Sequence, residues 1–225
     1  ECPSCGSTLR IDGAFLRCDD ESCSARVVRS LLYWCRSLEI DGIGERLAEQ
    51  LCNSGLVASL PDLYDLSHTD LEGLDRMAER SAANAMAQLD LTRRLTLSAF
   101  LSALGLPRIG PELAESVAEE VASISNLLDL VDIGDAEPGV GGEPAEDESG
   151  KPYRLNQAMR RLTSIEGVGE TVARYLLDGI HQRRSTVDGL LERIEVIDEL
   201  VQESDTGPLD GLSFCITGTL QRPRK

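Results

Sequence analysis

The sequence predicts a mainly α chain: a tandem helix–hairpin–helix bundle preceded by a small four-cysteine finger and ending on a single β-strand. From about residue 37 to 203 apolar residues recur at helical intervals, and one glycine-containing template recurs along the same stretch. Four of the seven cysteines fall between Cys2 and Cys23. Apolar residues make up 41% of the chain and aromatic ones 4%, a balance that suits Leu/Ala packing between helices and not a β-sandwich. At 225 residues the chain is long enough for one or two domains with a proper core. No apolar run reaches the roughly 18–20 residues of a membrane helix, and Glu1-Cys2-Pro3 has neither the basic nor the apolar region of a signal peptide. Membrane and secreted disulfide classes are therefore disfavoured, and the expected location is cytoplasmic. The chain begins without a methionine, inside a cysteine motif, and ends on Gln221-Arg222-Pro223-Arg224-Lys225 just past an apolar run, which predicts a piece of a longer polypeptide.

The first element is the finger, residues 1–30. Cys2, Cys5, Cys18 and Cys23 follow the spacing C-x2-C-x12-C-x4-C, in which two close pairs turn four thiolates onto one tetrahedral ion. Pro3 and Gly6 suit the tight turn that aims the first pair inward. Leu9, Ile11, Phe15 and Leu16 are expected to supply the apolar contacts of the knuckle. Four thiolates fill the coordination sphere, so the expected ion is a structural Zn²⁺ with no open position for water or substrate. Two disulfides in a secreted fragment would be the competing reading, against which the missing signal peptide counts. Cys35, Cys52 and Cys215 are scattered and are expected to be buried small hydrophobes.

The bundle is expected over residues 37–203. Ile40-Asp41-Gly42-Ile43-Gly44-Glu45-Arg46-Leu47-Ala48 and Ile165-Glu166-Gly167-Val168-Gly169-Glu170-Thr171-Val172-Ala173 share one template: apolar, x, Gly, apolar, Gly, two variable residues, apolar, Ala. Arg108-Ile109-Gly110-Pro111-Glu112-Leu113-Ala114 keeps the second glycine, with proline where a helix starts well. Arg76-Met77-Ala78-Glu79-Arg80-Ser81-Ala82 replaces that glycine by Ala78. Between the third and fourth copies, residues 134–150 are rich in glycine and acids and contain no base, which predicts a solvated insertion without regular structure.

In this template a glycine turn delivers the chain into a helix whose first N–H groups lack an internal acceptor. Those amides, with the positive end of the helix dipole, can hold a phosphate oxygen without a cationic side chain. That property bears on the charge. The chain carries 22 Lys+Arg against 39 Asp+Glu, net −17, with Lys151 and Lys225 its only lysines. Strong acidity opposes a polyanion partner, but bare amides and a few arginines at the corners would still grip a phosphate backbone, without reading bases. Arg46, Arg76, Arg80, Arg108 and Arg174 lie in or just after the hairpins. The contact set expected on this reading is Gly42, Ile43, Gly44, Arg46, Arg76, Ala78, Arg108, Gly110, Gly167, Val168 and Gly169. Ala78 is its weak point, because alanine tolerates positive φ poorly, and the second hairpin is expected to be structural only. Arg93-Arg94, Arg160-Arg161 and Arg183-Arg184 are expected on solvated helix faces, and His68 and His181 are assigned no role. Scarce lysine on an acidic surface fits either a high-salt cytosol, where repulsion is screened, or a GC-rich genome. The sequence leaves both open, as it leaves open a helical bundle whose Gly-x-Gly turns merely join helices.

The last element is Leu209-Asp210-Gly211-Leu212-Ser213-Phe214-Cys215-Ile216-Thr217-Gly218-Thr219-Leu220. With it, the order of motifs resembles the C-terminal half of NAD-dependent DNA ligases. Cys2-Pro3-Ser4-Cys5-Gly6-Ser7, Asp41-Gly42-Ile43-Gly44-Glu45, Ala103-Leu104-Gly105-Leu106 and Ile165-Glu166-Gly167-Val168-Gly169 carry the resemblance, from which the acidic insertion departs. Residues 209–225 are similar to the first strand of the family's terminal BRCT domain, truncated and too short to fold alone. The resemblance implies an enzyme that seals nicks in duplex DNA during replication and repair. An upstream lysine takes AMP from NAD⁺, passes it to the 5′-phosphate of the nick, and the 3′-hydroxyl displaces it with Mg²⁺ assistance. That lysine's domain and the OB domain are not in this chain, so no residue here is expected to be catalytic and the chain alone is expected to have no activity. By the same resemblance Cys2, Cys5, Cys18 and Cys23 bind Zn²⁺, the finger orients the OB domain, and the hairpins at 42–44, 76–78, 108–110 and 167–169 hold nicked double-stranded DNA. A monomer with no membrane partner is expected. Two other readings stand beside it: a zinc-plus-hairpin DNA-binding module of a nuclease, repair or topoisomerase protein, and a helical protein-interaction scaffold.

Overall fold

The computed structural model describes residues 1–12, 14–20, 22–136, 143–146, 152–155 and 157–198. Strands β1 (Leu9–Asp12) and β2 (Phe15–Cys18) pair antiparallel with Leu9 opposite Cys18, which returns the chain past its first cysteines. Cys23 then leads into α1 (Ser24–Ser37), which buries Val27, Leu31, Trp34 and Cys35. That spacing is the stripe of a helix packed on one side. The expected break between a finger ending at 30 and a bundle starting at 37 therefore falls inside one helix, whose inner face belongs to the bundle.

Four hairpin-led helices follow: α2 (Glu45–Asn53), α4 (Glu79–Leu91), α6 (Pro111–Val121) and α9 (Glu170–Gln182). Between them lie a 3₁₀ turn (Leu60–Tyr64), α3 (His68–Glu72), β3 (Arg94–Thr96), α5 (Leu97–Ala103), α7 (Ile124–Ala136), β4 (Glu143–Glu146), β5 (Pro152–Leu155) and α8 (Gln157–Thr163). The chain continues into α10 (Arg184–Leu191) and β6 (Glu195–Ile197). One apolar core runs from Val27 to Ile194 through the helices, the 3₁₀ turn and β3, with Val196 of β6 packed against it. Helix α1 packs on α2 and α5, α5 on α6, and α7 on α8 and α9, so successive hairpins are held at the rim of a shared interior.

At the centre of the first half Trp34 is fully buried, its ring meeting Tyr64 and Phe100 edge-on at 6.4 and 6.0 Å. Its indole N–H donates to the Tyr64 hydroxyl at 2.9 Å; that hydroxyl lies 2.9 Å from the Thr92 hydroxyl, which donates to the Leu89 carbonyl at 2.9 Å. Every polar atom in this relay is satisfied, and removing its middle strands a buried donor. Tyr64→Phe is expected to lower unfolding free energy by about 1–3 kcal/mol, read as a lower urea midpoint at unchanged m-value.

Several expectations need correction here. Ile11, Phe15 and Leu16 do not pack inside the finger: they are 75%, 68% and 66% exposed, because a four-residue hairpin has no second layer to cover them. The doubled arginines are not simply solvated. Arg93 donates to the Tyr64 carbonyl at 2.9 Å and stacks over its ring, Arg94 pairs with Glu195, and Arg161 pairs with Glu120. Arg183 donates to the Leu104 carbonyl, and Arg184 bridges Asp132 and Asp188. Strands β3 and β6 form a parallel pair, Arg94 opposite Glu195, that the helical periodicity did not suggest. Within 134–150, residues 134–136 close α7 and 143–146 form β4, antiparallel to β5. Cys35 is buried and Cys52 only half-buried. Cys215 and the strand expected in 209–225 lie outside the described residues.

Candidate functional site

Two features stand apart from the core: a cysteine cluster at the start of the chain and a set of exposed helix corners. In the cluster, Gly6 takes a positive φ of 76° and its N–H donates to the Cys2 carbonyl, while the Cys2 N–H donates to the Ser7 carbonyl, both at 2.8 Å. This knot turns Cys2 and Cys5 to one side. The β1–β2 hairpin brings up Cys18, and Cys23 arrives at the N-terminus of α1, where the Arg26 and Val27 amides bond to its carbonyl. Asp20 secures the return by accepting from the Ser7 and Ser22 hydroxyls at 2.7 and 2.6 Å, which holds its carboxyl down at about 2.

The four sulfurs lie within 4.8 Å of one another, with Cys2–Cys23 at 3.8 Å and Cys5–Cys18 at 3.5 Å. A tetrahedral ion bonded to sulfur at ~2.3 Å requires sulfur–sulfur edges of about 3.8 Å, so the residues present fit a metal ion. Their protonation is uneven. Backbone N–H groups of Cys5 and Ser4 pull the Cys2 thiol down to about 6, and the Arg26 N–H lowers Cys23. Desolvation pushes Cys18 up to about 12. A cation placed among them would supply the missing counter-charge.

The corners repeat one backbone conformation. The first residue of each turn has positive φ: 92° at Gly42, 64° at Arg76, 64° at Arg108 and 82° at Gly167. The second is driven inward, with Ile43, Ile109 and Val168 buried and Met77 partly so. The third, Gly44, Ala78, Gly110 or Gly169, is exposed and extended at φ −89°, −87°, −92° and −79°, and caps the helix with no side-chain hydrogen bond. The Ala48, Ala82, Ala114 and Ala173 amides bond back to these four carbonyls at 2.9–3.0 Å, joined at the second corner by the Ser81 amide at 2.8 Å. This leaves the earlier amides of each first turn without an intrahelical acceptor, the third corner having one fewer because its helix opens on Pro111. Each first turn also bears an exposed glutamate, Glu45, Glu79, Glu112 or Glu170, which favours the helix through its dipole.

This geometry relocates the weak point. Ala78 is unstrained, and the left-handed residue is Arg76, two positions earlier; that conformation costs a non-glycine residue about 1–2 kcal/mol. The register could have told this, since Arg76 and Arg108 stand where Gly42 and Gly167 stand in the stronger copies. Ile43 and Val168 anchor their turns through buried side chains and offer a ligand only backbone. At Gly44, Gly110 and Gly169 an added Cβ would meet no atom within 4 Å. With negative φ and open space, nothing inside the fold requires glycine at these three corners.

The corners come in pairs. Between the first two lies a groove of ≈ 310 Å³ lined by Gly44, Arg46, Gln50, Asp75, Arg76 and Met77. Asp75 spans it: its carboxylate accepts from Arg46 at 2.8 Å, and its backbone N–H donates to Gln50 at 2.8 Å. In the other pair the Arg108 guanidinium lies over the Tyr175 ring at 5.8 Å, and Leu113 approaches Gly167 closely. Asp75, Gln50 and Tyr175 carry no local sequence signal and were not among the expected residues. Arg80 is exposed and Arg174 half-buried. His68 pairs with Glu72 at 3.5 Å, and its Nε2 lies 3.3 Å from the carbonyl of Glu79, the first residue of the helix at the second corner.

Residues 37–90, which contain the first two corners, match the SAM-like Helix-hairpin-helix tandem family. Over 97% of its length the chain is 34% identical to the DNA ligase of Coprothermobacter proteolyticus. It is 35% identical over its whole length to the DNA ligase of Haloferax volcanii, and 36% identical over 98% to that of Halorhodospira halophila. It spans 29%, 30% and 33% of those proteins. Such end-to-end similarity does not favour a nuclease, repair or topoisomerase module, or a protein-interaction scaffold. No described helix is long and apolar enough to cross a membrane. The chain is thus related along its whole length to one part of the DNA ligases, a part that contains a helix–hairpin–helix tandem.

Proposed function

We propose that this chain is the DNA-binding C-terminal part of an NAD-dependent DNA ligase that seals nicks in replication and repair. It grips the phosphate backbone of a nicked duplex at its four helix corners, without regard to sequence, and works as a monomer. The observation that carries this reading is the set of exposed corners at Gly44, Gly110 and Gly169, open beyond any need of the fold. Outward amides there supply hydrogen bonds to phosphate oxygens, and arginines beside them supply charge. The contribution to rate is positional: a duplex held by corners on both halves of the bundle keeps the 5′-phosphate and 3′-hydroxyl aligned, with no residue of this chain touching the reacting atoms. Residues upstream of this chain would use NAD⁺ and Mg²⁺. Cys2, Cys5, Cys18 and Cys23 would hold Zn²⁺, the ion that four-thiolate tetrahedra select, and so fix the finger against α1.

Titration of the full chain with a nicked duplex at several salt concentrations tests the proposal. Binding is expected to weaken linearly in log–log form, with a slope of about −0.9 for each phosphate neutralised. No binding down to low salt would overturn it and leave the scaffold reading.

A further inference from the structure

We infer that the four corners are of two kinds, one of each in every pair, and that Arg76 and Arg108 are the charge-bearing, salt-sensitive contacts to the phosphodiester backbone. This rests on the proposed grip on nicked DNA and assigns its parts. The first turn position demands positive φ in all four hairpins, and glycine meets the demand at Gly42 and Gly167. Arginine occupies the same position, at φ 64°, at Arg76 and Arg108. A left-handed arginine is strained in the folded state, so its side chain must return something.

Within the protein the return is small. The Arg76 side chain is 76% exposed, and Asp75 stands 3.9 Å away with its carboxylate already engaged by Arg46. An ion pair that long and that exposed stabilises little. The Arg108 guanidinium rests over Tyr175, itself partly exposed, an arrangement that aims the charge and leaves it in solvent. Neither arginine is needed to close its turn, because glycine does so in the companion hairpin.

The arrangement is also ordered. The first pair joins a glycine corner (Gly42-Ile43-Gly44) to an arginine corner (Arg76-Met77-Ala78) across the Asp75 groove. The second joins an arginine corner (Arg108-Ile109-Gly110) to a glycine corner (Gly167-Val168-Gly169) through Leu113 and Tyr175. The order reverses between pairs, yet each keeps one of each kind. On a duplex, the glycine corner admits the backbone closely and binds through amides, which displace no counterion, while Arg46 beside the first of them has its charge engaged by Asp75. The arginine corner displaces one and carries the dependence on salt.

Arg76→Gly and Arg108→Gly, made singly and together in the full chain, test this, with Arg29→Gln as a charge-matched control. Each glycine variant is expected to raise the melting midpoint by roughly 2–4 °C and to reduce the log–log salt slope for nicked duplex by about 0.9. At 0.1 M salt that is about an eightfold loss of affinity for each variant, while the control leaves the slope unchanged. A slope that survives both replacements overturns the inference, as does a lowered midpoint, which would make the arginines structural. If the unaltered chain binds no nicked duplex at low salt, the functional reading fails, and this inference fails with it.

Discussion

Changing Gly44 and Gly169 together to serine is expected to weaken binding of a nicked duplex at least tenfold while leaving the fold as stable as before. Both residues lie at negative φ, and a Cβ at either position meets nothing within 4 Å. Serine is as good a helix cap as glycine or better, so the variant should hold or gain a few tenths of a kcal/mol in a urea melt. What changes is the availability of the amides. A capping hydroxyl accepts from the N–H groups of the second or third helical residue, the same donors a phosphate oxygen would engage, and the added atoms stand where a backbone would approach. Hydrogen bonds to a charged group contribute about 1.5–3 kcal/mol each, and about 1.4 kcal/mol is a factor of ten in affinity. Loss of one such bond over the two corners reaches the expected effect. Valine at the same sites should weaken binding as well, but at a cost of about 1 kcal/mol in capping, so serine separates the two quantities. In a ligase that contains this chain, adenylation of the catalytic lysine should not change. Unaltered affinity in a stable serine variant would mean that the corners do not face the duplex.

The hairpins and the cysteine cluster were legible in the sequence because both are local. A turn that must bury Ile43 or Val168 and then start a helix is constrained within nine residues, and its register is written in every copy. Four thiols that meet at one point need a fixed spacing along a short hairpin. What could not be read depends on contacts between distant segments. Strands β3 and β6 are three residues each and join Arg94 to Glu195 across most of the bundle, too short for a period of two to appear. Asp75 looks like any loop acid until Arg46 and Gln50 are brought to it. The strained position was misplaced for another reason. The second glycine of Gly-x-Gly looks like the turn residue, whereas the first adopts positive φ and the second only clears space. The apolar residues of the finger, Ile11, Phe15 and Leu16, were expected inside it because a folded module needs a core; this one has almost none.

That missing core leads to the other large effect. Removing the metal with a chelator, or replacing Cys18 by serine, is expected to unfold residues 1–23 while the bundle from α1 onward stays folded. Among the described residues before α1, Cys2 and Cys23 alone are buried apolar side chains, so burial cannot hold the finger. Structural zinc sites supply about 10–16 kcal/mol of apparent binding free energy near pH 7, and here that would be nearly all of the finger's stability. Helix α1 is anchored separately, through Val27, Leu31 and Trp34 in the common core, and should fray only near Ser24. Amide exchange reports both parts: protection lost through 23, retained from α2 to α10, with little change in helical circular dichroism. The pH dependence has a definite sign. Bound sulfurs are deprotonated, so every thiol protonated in the free finger must release its proton. In the unfolded metal-free finger all four thiols return to the ordinary cysteine value of about 8.5 and are protonated at pH 7. Affinity should therefore fall with pH by about tenfold per unit for each of the four protons displaced. Competition with a chelator at pH 7.5 and pH 5.5 measures this. Loss of protection spreading into α2 and α4 would instead make the finger a working part of the bundle, and the metal would then sustain the corners as well as the knuckle.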